Sequence, residues 1–307
     1  MNLIVTVADG PEYDGGVYVL VRLLRWLGCT LPVQSWFAAS RPNDPMVRVD
    51  LEKRGTTFHT LPDGVEGFHA KCFPAIWPTL QNSSDEVLYL DSDSYPTRNP
   101  EEVFSWREYT ETGALFWPNF RSSDPARWAK LDMTSPAEPE FETGQYAVNT
   151  SRVGLAMKRG HDYCNDPTVF GPIFRDDQEC LHAGFVRTGT PYAMVGVLPK
   201  FELHTVINHD PRGRVFTQHR VADKFRLQNW PCFWTKQRGD QMVRHSTLSD
   251  EDVLFGFFEE FANLISGNLK RHVGQLPGFS WCSKCRNRAC MCKKPTHDRR
   301  SPDSPLA

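Results

Sequence analysis

The sequence predicts an α/β protein with a mostly parallel central sheet flanked by helices. Three observations carry that expectation: an apolar strand opens the chain, a helix and a second strand follow at once, and the later strands are again uniformly apolar. The first run is Asn2 to Ala8 (NLIVTVA), ended by Gly10 and Pro11. Val17 to Leu27 (VYVLVRLLRWL) has helical spacing, with Arg22 and Arg25 offset from the apolar positions and Gly28 as its stop. Leu31 to Ala39 reads as the next strand. Gly67 to Leu80 reads as a helix that Pro74 and Pro78 kink or end. Val87 to Leu90, Gly113 to Trp117 and Tyr146 to Val148 read as further strands, and Pro118 to Phe141, with its prolines and serines, as a long loop. Ser249 to His272 is the plainest helix, with Ser249 and Asp252 spaced as a capping box before an apolar stripe from Leu254 to Ile265.

A chain of 307 residues can bury one large core, and 40% hydrophobic with 23% charged residues is the balance of a globular protein. No segment has the uninterrupted apolar length of a membrane span, and MNLIVTVADG lacks the basic start of a secretory signal. The expectation is a cytoplasmic protein with one catalytic domain over residues 1–275 and a basic, Cys-rich tail over 276–307. From Trp281 onward seven Lys and Arg face only Asp298 and Asp303, so the tail carries a net +5 and the rest of the chain −7. Cys282 and Cys285 have zinc half-site spacing, and Cys290 and Cys292 are closer together; the tail is either a Zn²⁺ site or a disordered end. The remaining five of the nine cysteines show no paired spacing, as free thiols in a reducing compartment would.

The chemistry concentrates at VLYLDSDSYP (87–96). The strand delivers Asp91 and Asp93 to the carboxyl end of a parallel sheet, where such sheets bind ligands. In an extended segment residues i and i+2 point the same way, so both carboxylates can converge on one object. Buried at a core's rim, the pair is costly unless a cation neutralises it. Mn²⁺ or Mg²⁺ suits these oxygen ligands and keeps positions open for substrate phosphates. An Asp-x-Asp triplet alone more often belongs to a solvated turn; the apolar strand before it is what points to a metal.

SDEVLYLDSDSYPTRNPEEVF resembles the DXD segment of GT-A-fold glycosyltransferases. It is most similar to the fungal α-1,3-mannosyltransferase family and more distantly to the glycogenin-type retaining transferases. LLRWLGCTLPVQSWF (23–37), FHAKCFPAI (68–76), GALFWPN (113–119), EFETGQYAVN (140–149), DDQECLHAGF (176–185) and FTQHRVADKF (216–225) resemble further family segments in the same order. The resemblance implies a GT-A fold and transfer of a hexose from a nucleotide-sugar donor, GDP-mannose or a UDP-hexose. The acceptor would be a hydroxyl on a glycan, protein or other molecule, and the configuration would be retained.

Carried over residue by residue, Asp93 would be the main metal ligand, Asp91 a second ligand or ribose contact, and His219 the third. Lys71 and Lys224 would neutralise the diphosphate. Asp176 and Asp177 would hold the donor sugar's hydroxyls, with Glu142, Gly144 and Gln145 beside sugar or acceptor. Asp177 or Glu142 would serve as base in an inverting alternative. Trp117, Trp230, Phe233 and Trp234 could stack on sugars. Taken singly, His219 is more often a structural hydrogen-bonder and each lysine more often a surface residue, while Trp117 is equally core and Asp176-Asp177 equally a solvated turn. The fungal family members begin with a membrane anchor, whereas this chain begins at the first strand. Two other functions fit parts of the pattern. A sugar-nucleotide pyrophosphorylase would need a basic Gly-rich loop where ADGPEYDGG is acidic. A non-enzymatic adaptor would act through the basic tail, the one route to a nucleic-acid partner.

Overall fold

The structure, a computed structural model, describes residues 2–65, 70–71, 86–202, 205–221, 224–225 and 251–265. Most of the expected helix over 67–80, Trp230, Phe233 and Trp234, and the tail with Cys282, Cys285, Cys290 and Cys292 lie outside them. Two sheets form among the described residues. The strands in chain order are β1 (Asn2–Val7), β2 (Val33–Ala38), β3 (Thr56–Leu61), β4 (Glu86–Leu90), β5 (Ser94–Pro96), β6 (Ala114–Ser122), β7 (Pro139–Asn149), β8 (Ala193–Met194), β9 (Lys200–Glu202), β10 (Thr205–His209) and β11 (Val215–Arg220). The large sheet has the order β3-β2-β1-β4-β7-β6-β8, and β7 alone runs against its neighbours. The small antiparallel sheet has the order β5-β11-β10-β9.

Uniformly apolar strands imply a sheet covered on both faces, and both faces are covered. Ile4, Leu88 and Leu90 enter one core together with residues of α1 (Asp14–Trp26) and of a C-terminal helix, Glu251–Leu264. Leu3, Val5, Val87 and Tyr89 enter a second core, completed by the helices Thr150–Asn165 and Asp177–Thr188. With α2 (Pro45–Glu52) between β2 and β3, and leaving two short helices unnumbered, the core helices are α3 (Thr150–Asn165), α4 (Asp177–Thr188) and α5 (Glu251–Leu264). No helix among the described residues is long and apolar enough to cross a membrane.

Three local expectations are corrected. Helix α1 starts at Asp14, not Val17. The buried Asp14 carboxylate accepts from the Asn43 side chain at 2.6 Å and the Asp44 N–H at 2.9 Å, which fixes the first turn. The supposed loop 118–141 contains the end of β6, a short helix Pro125–Ala129 capped by Asp124, and the start of β7. Pro125 opens the helix and Pro139 is the first residue of β7, two positions that tolerate a missing N–H. The first half of β7 escaped notice because Glu140, Glu142 and Thr143 are polar and yet buried.

The small sheet stands at the carboxyl end of β4. Ser94 on β5 pairs with His219 on β11, and the Arg220 N–H donates to the Asp93 carbonyl at 2.9 Å. The fully buried Arg220 guanidinium pairs with Glu251 at the start of α5 and lies 4.7 Å from the Phe225 ring centroid. A distant stretch of chain is thereby brought to the rim where β4 ends.

Candidate active site

The Asp91–Ser94 stretch is a turn rather than an extended segment. The Asp91 N–H donates to the Gly144 carbonyl at 2.9 Å, and the Ser94 N–H donates back to the Asp91 carbonyl at 2.8 Å. The two carboxylates converge because the chain folds back, not because of strand alternation. Helix α1 braces this turn from behind: a Cβ on Gly16 would lie 2.7 Å from the Ser92 carbonyl oxygen, so only glycine permits the approach.

Asp91, Asp93 and His219 are all buried, and one potential ligand atom from each falls within 4.8 Å of the others. His219 Nε2 lies 3.3 Å from Asp93 Oδ1 and 3.6 Å from Asp91 Oδ2. Adjacent ligands of an octahedral cation at ~2.1 Å would stand ~3.0 Å apart, so two oxygens and an imidazole nitrogen at these separations fit Mn²⁺ or Mg²⁺ after small shifts. The positive charges now at this point are side chains. Lys71 Nζ donates to Asp91 Oδ2 at 2.7 Å and lies 3.9 Å from Asp177, while Lys224 donates to Asp93. The Tyr89 hydroxyl donates to the other oxygen of Asp91 at 2.7 Å.

Electrostatics follows from that crowding. Burial disfavours the Asp93 carboxylate, but Lys224 and His219 outweigh it and hold the carboxyl well below its ordinary range. Burial likewise disfavours a charged His219, yet Asp93 and Glu142 push the imidazole up to about 10. Lys71, also opposed by burial, is held well above its usual value by Asp91 and Asp177. For Asp177 burial wins, and its pKa is raised despite Lys71 and the Thr143 hydroxyl.

The sequence-predicted residues divide into those at the cavity and those behind it. A cavity of about 430 Å³ is lined by Asp91, Ser92, Asp93, Lys71 and Lys224 together with Val7, Asp9, Tyr13, Arg41 and Tyr89. That volume lies in the range of small-molecule sites. Asp177 reaches the same cluster through Lys71. Asp176 is turned away from it: its carboxylate caps α4 by accepting from the Glu179 N–H and pairs with Arg121 at 2.6 Å. Gln145 is fully buried, accepts from Ser94 Oγ at 3.0 Å and Thr217 Oγ1 at 3.1 Å, and joins the two sheets. Trp117 is core: it is fully buried, stacked on Phe216 at 5.3 Å, and donates to the His209 carbonyl. Glu142 accepts from the Gly144 N–H at 2.8 Å and lies 3.1 Å from His219 Nδ1. The bare Cα of Gly144 faces the His219 ring, not open cavity: a Cβ there would sit 2.3 Å from Nδ1.

Asp9, Tyr13, Arg41 and Tyr89 were not singled out in the sequence. Asp9 and Tyr13 follow β1 at its carboxyl end, the same rule that found Asp91, so the position of the strand end was the available signal. Tyr89 reads as strand interior, and only its neighbour Asp91 reveals the use of its hydroxyl.

A seven-stranded sheet with a carboxylate-bearing turn after β4 and an imidazole returned by a small sheet can be compared with known proteins. Over 92% of this chain and 67% of the other, it superposes on the glycosyltransferase GlyE of Streptococcus pneumoniae TIGR4 with a TM-score of 0.50 at 13% identity. The chain has the GT-A glycosyltransferase fold. Residues 4–134 of this GT-A chain match the family model described as mannosyltransferase. The α-1,2-mannosyltransferase MNN22 of Candida albicans is 26% identical over 187 residues, 52% of this chain and 30% of that protein. The α-1,2-mannosyltransferase MNN2 of Saccharomyces cerevisiae is 21% identical over 224 residues, 55% of this chain and 36% of that protein. The GT-A chain thus spans about a third of the length of these curated relatives. They are α-1,2 enzymes, which differs from the α-1,3 linkage of the family its motifs were matched to.

Proposed function

We propose that this chain transfers a hexosyl group from a nucleotide-sugar donor to a hydroxyl acceptor, using a divalent cation. One observation carries the reading: two carboxylates and an imidazole within 4.8 Å, flanked by Lys71 and Lys224, at the rim of a 430 Å³ cavity. Asp91, Asp93 and His219 would hold Mn²⁺ or Mg²⁺. When bound, the cation supplies Lewis-acid stabilisation of the charge that grows on a departing nucleoside diphosphate. Lys71 and Lys224 contribute two ammonium groups at the same point, suited to phosphate oxygens. Asp9, Tyr13 and Arg41 line the same cavity and would meet the nucleoside. Asp177, fixed by Thr143, is the carboxylate available for a donor-sugar hydroxyl. The names of the sequence relatives favour mannose, hence GDP-mannose, as donor. Retention of configuration is part of the same proposal and rests on the resemblance to retaining transferases.

The deciding experiment incubates the protein with Mn²⁺ and, separately, GDP-mannose, UDP-glucose and UDP-galactose, and measures nucleoside diphosphate release. Release from one donor, stopped by a chelator and restored by Mn²⁺, is expected. No release from any of the three would refute the reading.

The acceptor side is proposed from exposure. Antiparallel pairing through β7 makes β6 parallel to β4, so β6 ends at the same end of the sheet as Asp91. There Phe120 is 51% exposed and packs edge-on against Phe201, 58% exposed, with centroids 6.1 Å apart. Exposed aromatic faces of this kind suit the apolar face of a pyranose. Phe120→Ala is expected to cost about 1 kcal/mol of acceptor binding, or roughly fivefold in acceptor KM, with donor hydrolysis unchanged. An unaltered acceptor KM would remove Phe120 from the acceptor site.

A further inference from the structure

We propose that Glu142 is a positioning residue for the metal-binding imidazole rather than a group that meets substrate. This rests on the reading of Asp91, Asp93 and His219 as cation ligands, and extends it to the residue behind them.

The geometry has three parts. First, Glu142 is almost fully buried, where an ionised carboxylate is tolerated only with donors supplied by the protein. Both donors meet the same oxygen: Oε1 accepts the Gly144 N–H at 2.8 Å and lies 3.1 Å from His219 Nδ1. Second, an ionised carboxylate can only accept, so the contact requires a proton on Nδ1. Nε2 is then the nitrogen turned toward Asp91 and Asp93, at 3.6 and 3.3 Å. A metal-bound histidine commonly donates its other N–H to such a carboxylate, which fixes the ring and strengthens the ligand. Third, β7 is irregular at this point. Phe116 pairs with Tyr146, but the next residue, Trp117, pairs with Glu142. Two apart on one strand, residues 142 and 144 face the imidazole together, and the irregularity takes 143–145 out of register with β6, as bulges next to active sites commonly do. Among the described residues, the side-chain partner of Glu142 is His219, and the cavity lining does not include Glu142.

The test compares the native chain with Glu142→Gln, which keeps size while removing the charge. Mn²⁺ binding is followed by the electron paramagnetic resonance signal of free Mn²⁺. The Nδ1–H resonance of His219 is followed in ¹⁵N-histidine-labelled protein and assigned by its loss in His219→Gln. The expected results are Mn²⁺ affinity reduced about tenfold or more in Glu142→Gln, and an Nδ1–H resonance that is shifted or exchanges faster. Circular dichroism and melting temperature establish that the variant is folded. If the folded variant binds Mn²⁺ as the native chain does and its Nδ1–H resonance is unmoved, the positioning role of Glu142 is overturned. If the native chain itself binds no Mn²⁺, the metal reading falls first and the proposal with it.

Discussion

Asp93→Asn is expected to reduce nucleoside diphosphate release on the order of 10³-fold, the scale on which loss of a preorganised electrostatic group slows a reaction. The argument starts from what Asp93 touches. Its carboxylate receives Lys224 on one oxygen and faces His219 Nε2 at 3.3 Å on the other. Asparagine preserves the shape but offers a cation one neutral oxygen, and Asp91 with His219 is then too weak a donor pair for a hard divalent ion. Lys224 also loses its anchor. Mn²⁺ titration should show the loss of binding, and discontinuous assay of diphosphate release the loss of turnover, in a protein whose circular dichroism is native. Equal release from the native chain and Asp93→Asn would end the case for a metal at this turn.

Gly144→Ala should damage the same function without touching a ligand. A methyl group there would begin 2.3 Å from His219 Nδ1, 2.5 Å from Cε1 and 2.8 Å from Glu142 Oε1, all closer than real contacts allow. Neither neighbour is a floppy side-chain tip, since the ring is held by Glu142 and by its place on β11 opposite Ser94. The expected cost is about 1–3 kcal/mol of folding stability, together with at least about tenfold weaker Mn²⁺ binding as the imidazole is pushed off line. Urea unfolding and Mn²⁺ titration measure the two separately. A variant with native Mn²⁺ affinity would mean that the small sheet can yield without losing the donor set.

The parts of the fold legible in the sequence are those where burial and composition agree. β1, α1, β2, β4 and the start of β6 bury apolar residues on both sides, and their patterns were readable. The first half of β7 and the small sheet were not, because they bury polar residues for the sake of the site: Glu142, Thr143, Thr217, Gln218 and His219 all lie in strands that look solvated. The candidate site shows the same division. Asp91 and Asp93 could be found from local chemistry, since an apolar strand ending in two carboxylates poses its own question. His219, Lys71 and Lys224 were reached only through resemblance, as nothing local distinguishes them. Glu142 and Gly144 were assigned beside sugar or acceptor; that both lie against His219 is a tertiary contact, and no spacing rule announces it. The acidic pair at 176–177 splits for a similar reason, one residue being spent on the helix it begins.

The pairing of Ser94 with His219 has a consequence for how the molecule comes together. β5 is only three residues long and lies at the border of its sheet, so it acts as a latch between the early half of the chain and its later third. The segment matched by the mannosyltransferase family, 4–134, contains both aspartates but must wait for residue 219 to dock before a third donor exists. The cation site proposed above, since it includes His219, would therefore belong to the closed chain and not to the segment most easily identified.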